Sequence, residues 1–164
     1  MAIVIDEIRE IDAPCDVTWE VISDLRNYDQ WNPFIVLARS TLVVGDPIYM
    51  LIRLIDGTLQ PQRDTIFEHV PGQRLRYGVP RDWLGALASN FQHELKDIGN
   101  GRTHYHMHLE ISGWLAPLVR KLFIARLTGG LQAMTSAIQH RAEELRTAGQ
   151  ADRVTNGGLQ PVGS

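Results

Sequence analysis

The stretch from Trp114 to about Arg146 constrains this chain more than any other. Val119, Phe123, Leu127, Gly130, Met134, Ile138, Ala142 and Leu145 recur at steps of three and four, which places them on one face of a single long helix. Lys121, Thr128, Gln132, Thr135, Gln139, Glu143 and Arg146 fall on the other side and suit water. Ser112-Gly113 opens the segment, Pro117 sits in its first turn where a missing N–H costs little, and Gly149 offers a stop. An apolar helical face of this length needs a partner. The preceding hundred or so residues read as short strands separated by turns, so the helix is best buried if a sheet curls around it.

At 164 residues the chain is expected to form one domain, over residues 1–148, followed by a flexible tail over 149–164 rich in turn residues such as Asn156-Gly157-Gly158. A net charge of −3 with no basic run argues against nucleic acid as a partner. No apolar run is long enough for a membrane span, and the start lacks the cationic flank of a secretion signal. Cys15 is the single cysteine, which excludes an intrachain disulfide and fits a reducing cytoplasm; its neighbour Asp16 would not activate it as a thiolate.

Residues 3–11 alternate in part and read as a first strand, ended by Asp12-Ala13-Pro14. Val17, Val21 and Leu25 then mark a short helix, and the polar stretch Asn27 to Pro33 carries Tyr28 and Trp31, as anchors to the core or as lining of a cavity mouth. From Phe34 to Val70 three strands form a meander, with Asp56-Gly57 as a hairpin signal. Ile48, Met50, Ile52 and Leu54 share one face of the second. Tyr49, Leu51, Arg53 and Ile55 share the other, which is apolar enough to meet a neighbour or a second chain, so a homodimer is one expected partner. Pro61 disfavours central pairing in the third strand, and the direction of Asp64 stays open. Leu75, Tyr77 and Val79 alternate in the next. A strand from about Trp83 to Asp97 then puts Trp83, Leu87, Phe91, His93 and Leu95 on one face.

The last strand, Arg102 to Ser112, alternates Tyr105, Met107, Leu109 and Ile111 with His104, His106, His108 and Glu110. A His-x-His-x-His triplet points three imidazoles one way, and imidazole is the commonest metal ligand. Same-face residues stand about 6.6–6.8 Å apart along a strand, however, so three cannot readily converge on one ion. The opposite face is apolar, and a matching acidic or cysteine ligand cluster is missing. The histidines therefore read as a solvated face, with no metal and no cofactor implied.

The order strand, short helix, meander, long helix resembles the helix-grip fold of the START/Bet v 1-like (SRPBCC) superfamily. Ile11-Asp12-Ala13-Pro14 followed by Val17-x-Trp19 and Ser23-Asp24 resembles the opening of polyketide cyclase/dehydrase and lipid-transport-like members. Tyr28-Asp29-Gln30-Trp31-Asn32-Pro33-Phe34 is similar to their Tyr-x-x-Trp-Asn-Pro segment, and Gly101-Arg102-Thr103 with Ser112-Gly113 and the long helix is similar to their ending. The resemblance implies an α+β fold, with a seven-stranded antiparallel sheet curled around a long C-terminal helix, two short helices after the first strand, and an apolar cavity between sheet and helix.

Inward alternation then nominates Ile52, Leu75, Tyr77, Trp83, Leu87, Phe91, His93, Tyr105, Met107 and Leu109 from the sheet, and Leu127, Gly130 and Met134 from the helix, as ligand-binding residues. Gly130 reads equally as room for a ligand or for close sheet contact. The leading expectation is binding of a small hydrophobic molecule, such as a lipid or polyketide, for transport or sequestration. A second is a cyclase/dehydratase-like enzyme with His93 as general acid/base beside Tyr77 or Tyr105. A third is a protein-interaction or chaperone-cofactor module using the outer face of the sheet.

Overall fold

The computed structural model describes residues 2–54 and 56–157, with side chains described through Ala151. The chain runs β1 (Ile3–Ile11), α1 (Cys15–Ser23), a 3-10 turn (Leu25–Asn27), α2 (Tyr28–Trp31), β2 (Ile35–Arg39), β3 (Pro47–Arg53), β4 (Leu59–Val70), β5 (Arg74–Gly78), β6 (Ala88–Asp97), β7 (Thr103–Ser112) and α3 (Ala116–Gly157). The strands form one antiparallel sheet of seven in the order β1-β7-β6-β5-β4-β3-β2. Consecutive strands from β2 to β7 are neighbours, and the first strand closes the row by pairing with the last. This is the expected α+β helix-grip arrangement. Among the described residues no helix is long and apolar enough to cross a membrane.

Alternation governs β7 most strictly. Thr103, Tyr105, Met107, Leu109 and Ile111 are buried, while His104, His106, His108 and Glu110 stand half-exposed on the outer face. β4 is a single strand of 12 residues despite Pro61. The proline pairs opposite Leu51 of β3, and β5 on the other side reaches only as far as Thr65, so the missing N–H lies on a stretch with a free edge. β2 is shorter than its apolar run suggested. Leu42 takes a left-handed φ of 59°, and Thr41 Oγ1 donates to Asp46 Oδ2 at 2.6 Å, which turns residues 40–46 into a loop.

Tyr28 and Trp31 fix the first corner. Tyr28 is buried, donates its hydroxyl to the Ile22 carbonyl at 2.5 Å, and meets Trp31 edge-on at 5.0 Å. The Asn32 side-chain oxygen accepts the N–H groups of Phe34 and Ile35 at 3.0 and 2.9 Å, an Asx turn that launches β2 and accounts for Trp-Asn-Pro-Phe as a structural unit.

The helix begins at Ala116 with Pro117 in its first turn and continues through Gly149 to Gly157, beyond the expected stop. Gly149 is exposed with no left-handed φ and is flanked by good helix formers, so nothing ends the helix there. Residues 158–164 of the expected tail lie outside the described residues. Leu131, Met134, Ile138 and Ala142 are buried from solvent, as is Thr135, whose hydroxyl is satisfied by the Gln132 carbonyl at 3.0 Å. Arg146 ion-pairs with Asp12, Glu143 accepts the Asp12 N–H at 3.1 Å, and Arg9 donates to Ser136 at 3.0 Å, tying this half of α3 to the end of β1. The first half of α3 is looser, with Val119 and Leu127 only partly buried and Phe123 at the surface.

Candidate functional site

Beneath that looser half lies a cavity of about 280 Å³. Phe34, just before β2, joins Ile35, Met50 and Ile52 of β2 and β3; β5, β6 and the loop joining them furnish Tyr77, Val79, Leu87, Ser89 and Phe91. Leu109 and Ile111 of β7 close the floor, and Val119, Phe123, Leu127 and Leu131 of α3 form the roof. The walls are thus mostly aliphatic and aromatic, and the polar exceptions cluster on β4.

Three of the four polar lining residues, Gln60, Gln62 and Asp64, share the face of β4 that ends in the fully buried Ile66, and the fourth is Ser89. Asp64 is 2% exposed, and both its carboxylate oxygens accept from Gln62 Nε2, at 2.9 and 3.0 Å. Burial pushes the Asp64 carboxyl above its ordinary range, and the Gln62 bond offsets this only in part. Ser89 is otherwise engaged, its hydroxyl accepting the Val79 N–H at 3.0 Å.

Of the residues nominated by alternation, Ile52, Tyr77, Leu87, Phe91, Leu109 and Leu127 line the cavity. Leu75, Tyr105, Met107 and Met134 belong to the sealed core instead. Gly130 gives close packing rather than ligand room, because a Cβ there would stand 2.2 Å from Phe34 Cδ2. Trp83 does not face inward at all: it is 92% exposed. β6 starts only at Ala88, and residues 82–85 form a turn closed by the Gly85 N–H on the Asp82 carbonyl at 3.1 Å, so the alternation does not extend back to Trp83. Phe34, Met50, Gln62 and Asp64 went unnominated. The signal for the last two was the period-2 step back from Ile66, masked by their polarity.

His93 is 1% exposed and lies behind the lining. Its Nδ1 is 2.8 Å from the Tyr105 hydroxyl and its Nε2 3.5 Å from the Tyr77 hydroxyl. Burial pushes its pKa down to about 3, so the imidazole is neutral, and the same burial raises both tyrosines well above the usual phenol range. Of the three hydrogen-bonded groups Tyr77, His93 and Tyr105, Tyr77 lines the cavity, stacked at 5.1 Å on Phe91, which lines it too.

The match to a protein family covers residues 2–139, under the description polyketide cyclase / dehydrase and lipid transport, and the chain belongs to that family. No curated protein matches it. Among solved structures it is similar to the Zhui aromatase/cyclase of Streptomyces sp. R1128, with 14% identity, a TM-score of 0.74, and coverage of 91% of this chain and 99% of that one. A START superfamily protein of Mycobacterium smegmatis gives 17% identity and a TM-score of 0.65 over 87% of this chain and 98% of the other. Norcoclaurine synthase of Thalictrum flavum gives 16% and 0.65 over 88% and 96%. At these identities the likeness is one of fold.

Proposed function

We propose that this protein binds a small hydrophobic molecule in the cavity under α3, for transport or sequestration, and orients it by a hydrogen bond to the Gln62–Asp64 pair. One observation carries the reading: an apolar cavity holds a buried carboxyl aimed into it, supported only by one neighbouring amide among the described residues. A volume of about 280 Å³ is at the small end of ligand pockets, which run roughly 300–1,000 Å³, and favours a one- or two-ring compound or a short chain over a full-length lipid. The fluorescent alcohol 2-naphthol and its apolar analogue 2-methylnaphthalene serve as probes. Both should bind, the alcohol more tightly. Leu109→Trp, which fills the floor, should abolish binding of both, and Asp64→Leu should erase the preference for the alcohol. Unchanged binding in Leu109→Trp would reject the site. Native mass spectrometry of the purified protein then identifies the resident compound.

A second reading, proton-transfer catalysis of the cyclase/dehydratase kind, is supported by the Asp64 carboxyl, which lines the cavity and whose hold on a proton is strengthened by burial, so that it is placed to exchange a proton with a bound carbonyl. His93 would act on a ligand only through the Tyr77 hydroxyl. Under this reading Asp64→Asn keeps binding and loses turnover of a short 1,3-dicarbonyl substrate; under the first it loses no activity, there being none.

A further inference from the structure

The outer face of the sheet holds an arrangement unrelated to the cavity. His106 and His108 project outward from β7, and β1 runs beside it with Asp6 directly opposite His108. Asp6 Oδ1 lies 2.7 Å from His106 Nε2 and 2.7 Å from His108 Nδ1. The two rings use different nitrogens, the far one on His106 and the near one on His108, and this difference lets side chains about 6.6–6.8 Å apart along the strand meet at one oxygen. All three ligand atoms lie within 4.8 Å of one another.

We propose that Asp6, His106 and His108 form a binding site for one divalent transition-metal ion, zinc or a metal of similar preference for nitrogen and oxygen donors. Two imidazoles and a carboxylate are a donor set suited to such ions. With metal–ligand bonds of about 2.0–2.2 Å, tetrahedral ligand atoms stand roughly 3.4 Å apart, so the carboxylate need withdraw from each ring by about 0.7 Å. The side chains are free to make that shift, being 44%, 29% and 25% exposed for Asp6, His106 and His108. The flanking outward residues of β1 are Val4 and Ile8, which offer no competing donor and leave the remaining coordination positions to water. Nearby Glu94, opposite His106 on β6, is engaged by Arg74 and Lys96. His104 stands one step further along β7, between Glu10 and Lys96, and is not part of the cluster. The expectation of a merely solvated histidine face rested on the spacing along the strand, on the apolar opposite face and on the lack of an acidic partner; two of the three histidines meet that spacing limit by using different ring nitrogens, and the partner is supplied 100 residues earlier in the chain by the strand that closes the sheet. An ion held here would clip the edge strand β1 to β7.

The test uses untagged protein freed of metal by a chelator, titrated with zinc chloride in a calorimeter and with cobalt chloride in a spectrophotometer. One zinc per chain is expected, with visible cobalt absorption and a higher melting temperature in zinc. Asp6→Asn, which keeps side-chain shape, and His106→Ala or His108→Ala should each weaken zinc binding at least about tenfold. His104→Ala should not. Absence of a one-to-one zinc isotherm in the parent protein would overturn the proposal, as would affinity unaltered by Asp6→Asn and His106→Ala in variants whose metal-free melting temperature matches the parent.

Discussion

Adding a single methyl group at Gly130 tests how closely α3 approaches the sheet. The new Cβ would lie 2.2, 2.6 and 3.2 Å from Cδ2, Cε2 and Cγ of Phe34, where ordinary contact begins at 3.4 Å. The ring must therefore retreat by about 1.2 Å, and the direction open to it is the cavity it lines. Overpacking of a buried site costs about 1–3 kcal/mol, and replacing a mid-helix glycine by alanine returns up to about 1 kcal/mol, which leaves a net loss of roughly 0–2 kcal/mol. Gly149→Ala is the internal control, since it lies in the same helix with nothing within 4 Å of its added methyl, and it should stabilise by up to about 1 kcal/mol. Urea melts at constant m-value measure both, and 2-naphthol binding reports the displaced ring, with affinity reduced in Gly130→Ala and unchanged in Gly149→Ala. If Gly130→Ala stabilises as much as Gly149→Ala and binds the probe normally, the close approach of helix and Phe34 is refuted.

Two buried groups should bend the pH dependence of stability in opposite directions. Asp64 has a folded-state pKa raised above the ordinary 3.8, so the folded state holds its proton more tightly; its contribution is greatest below 3.8 and is lost as pH rises through the raised value. Asp64→Asn should therefore gain on the parent toward neutral pH and converge with it in acid, as read from urea melts across that range; a flat difference would discredit the assignment. His93 is depressed from 6.5 to about 3, so stability is fully present above 6.5 and is lost as pH falls toward 3, and His93→Phe should flatten that acid limb. Tyr105→Phe removes the 2.8 Å partner of His93 Nδ1 and should cost about 1–3 kcal/mol, a loss largely recovered by adding His93→Phe; full additivity of the two would argue against the bond.

The fold was legible because its elements obey their periods: β7 buries every second residue from Thr103 to Ile111, and α3 buries Leu131, Met134, Ile138 and Ala142. The cavity was legible only where apolar residues line it, as with Tyr77, Phe91 and Leu109. Patterning assigns polar side chains to solvent by default, so Gln62 and Asp64 on an inward face are invisible to it until a neighbouring strand fixes the register of β4. Alternation also has no marker for where a strand begins, which is how Trp83, at the tip of a turn, was drawn into the face of β6. Which inward residues bound a void and which meet another side chain, the difference between Leu109 and Met107, depends on the path of α3 overhead. Asp6 and the paired histidines illustrate the same limit at long range, since adjacency across β1 and β7 is a property of topology rather than of spacing.

The pairing of the first strand with the last also orders the events of folding. Strands β2 to β7 can pair one after another as the chain leaves the ribosome, each with the neighbour just made. Ile3 finds its partner only when Ile111 has emerged, and α3, which covers the core, comes later still. At roughly 5–20 residues per second, β1 waits several seconds or more with its apolar side chains uncovered. The non-local closure raises contact order and slows the final step. Ile3 and Ile5, buried in the finished fold, stay without their native cover for those seconds, the interval in which a chaperone would shield them.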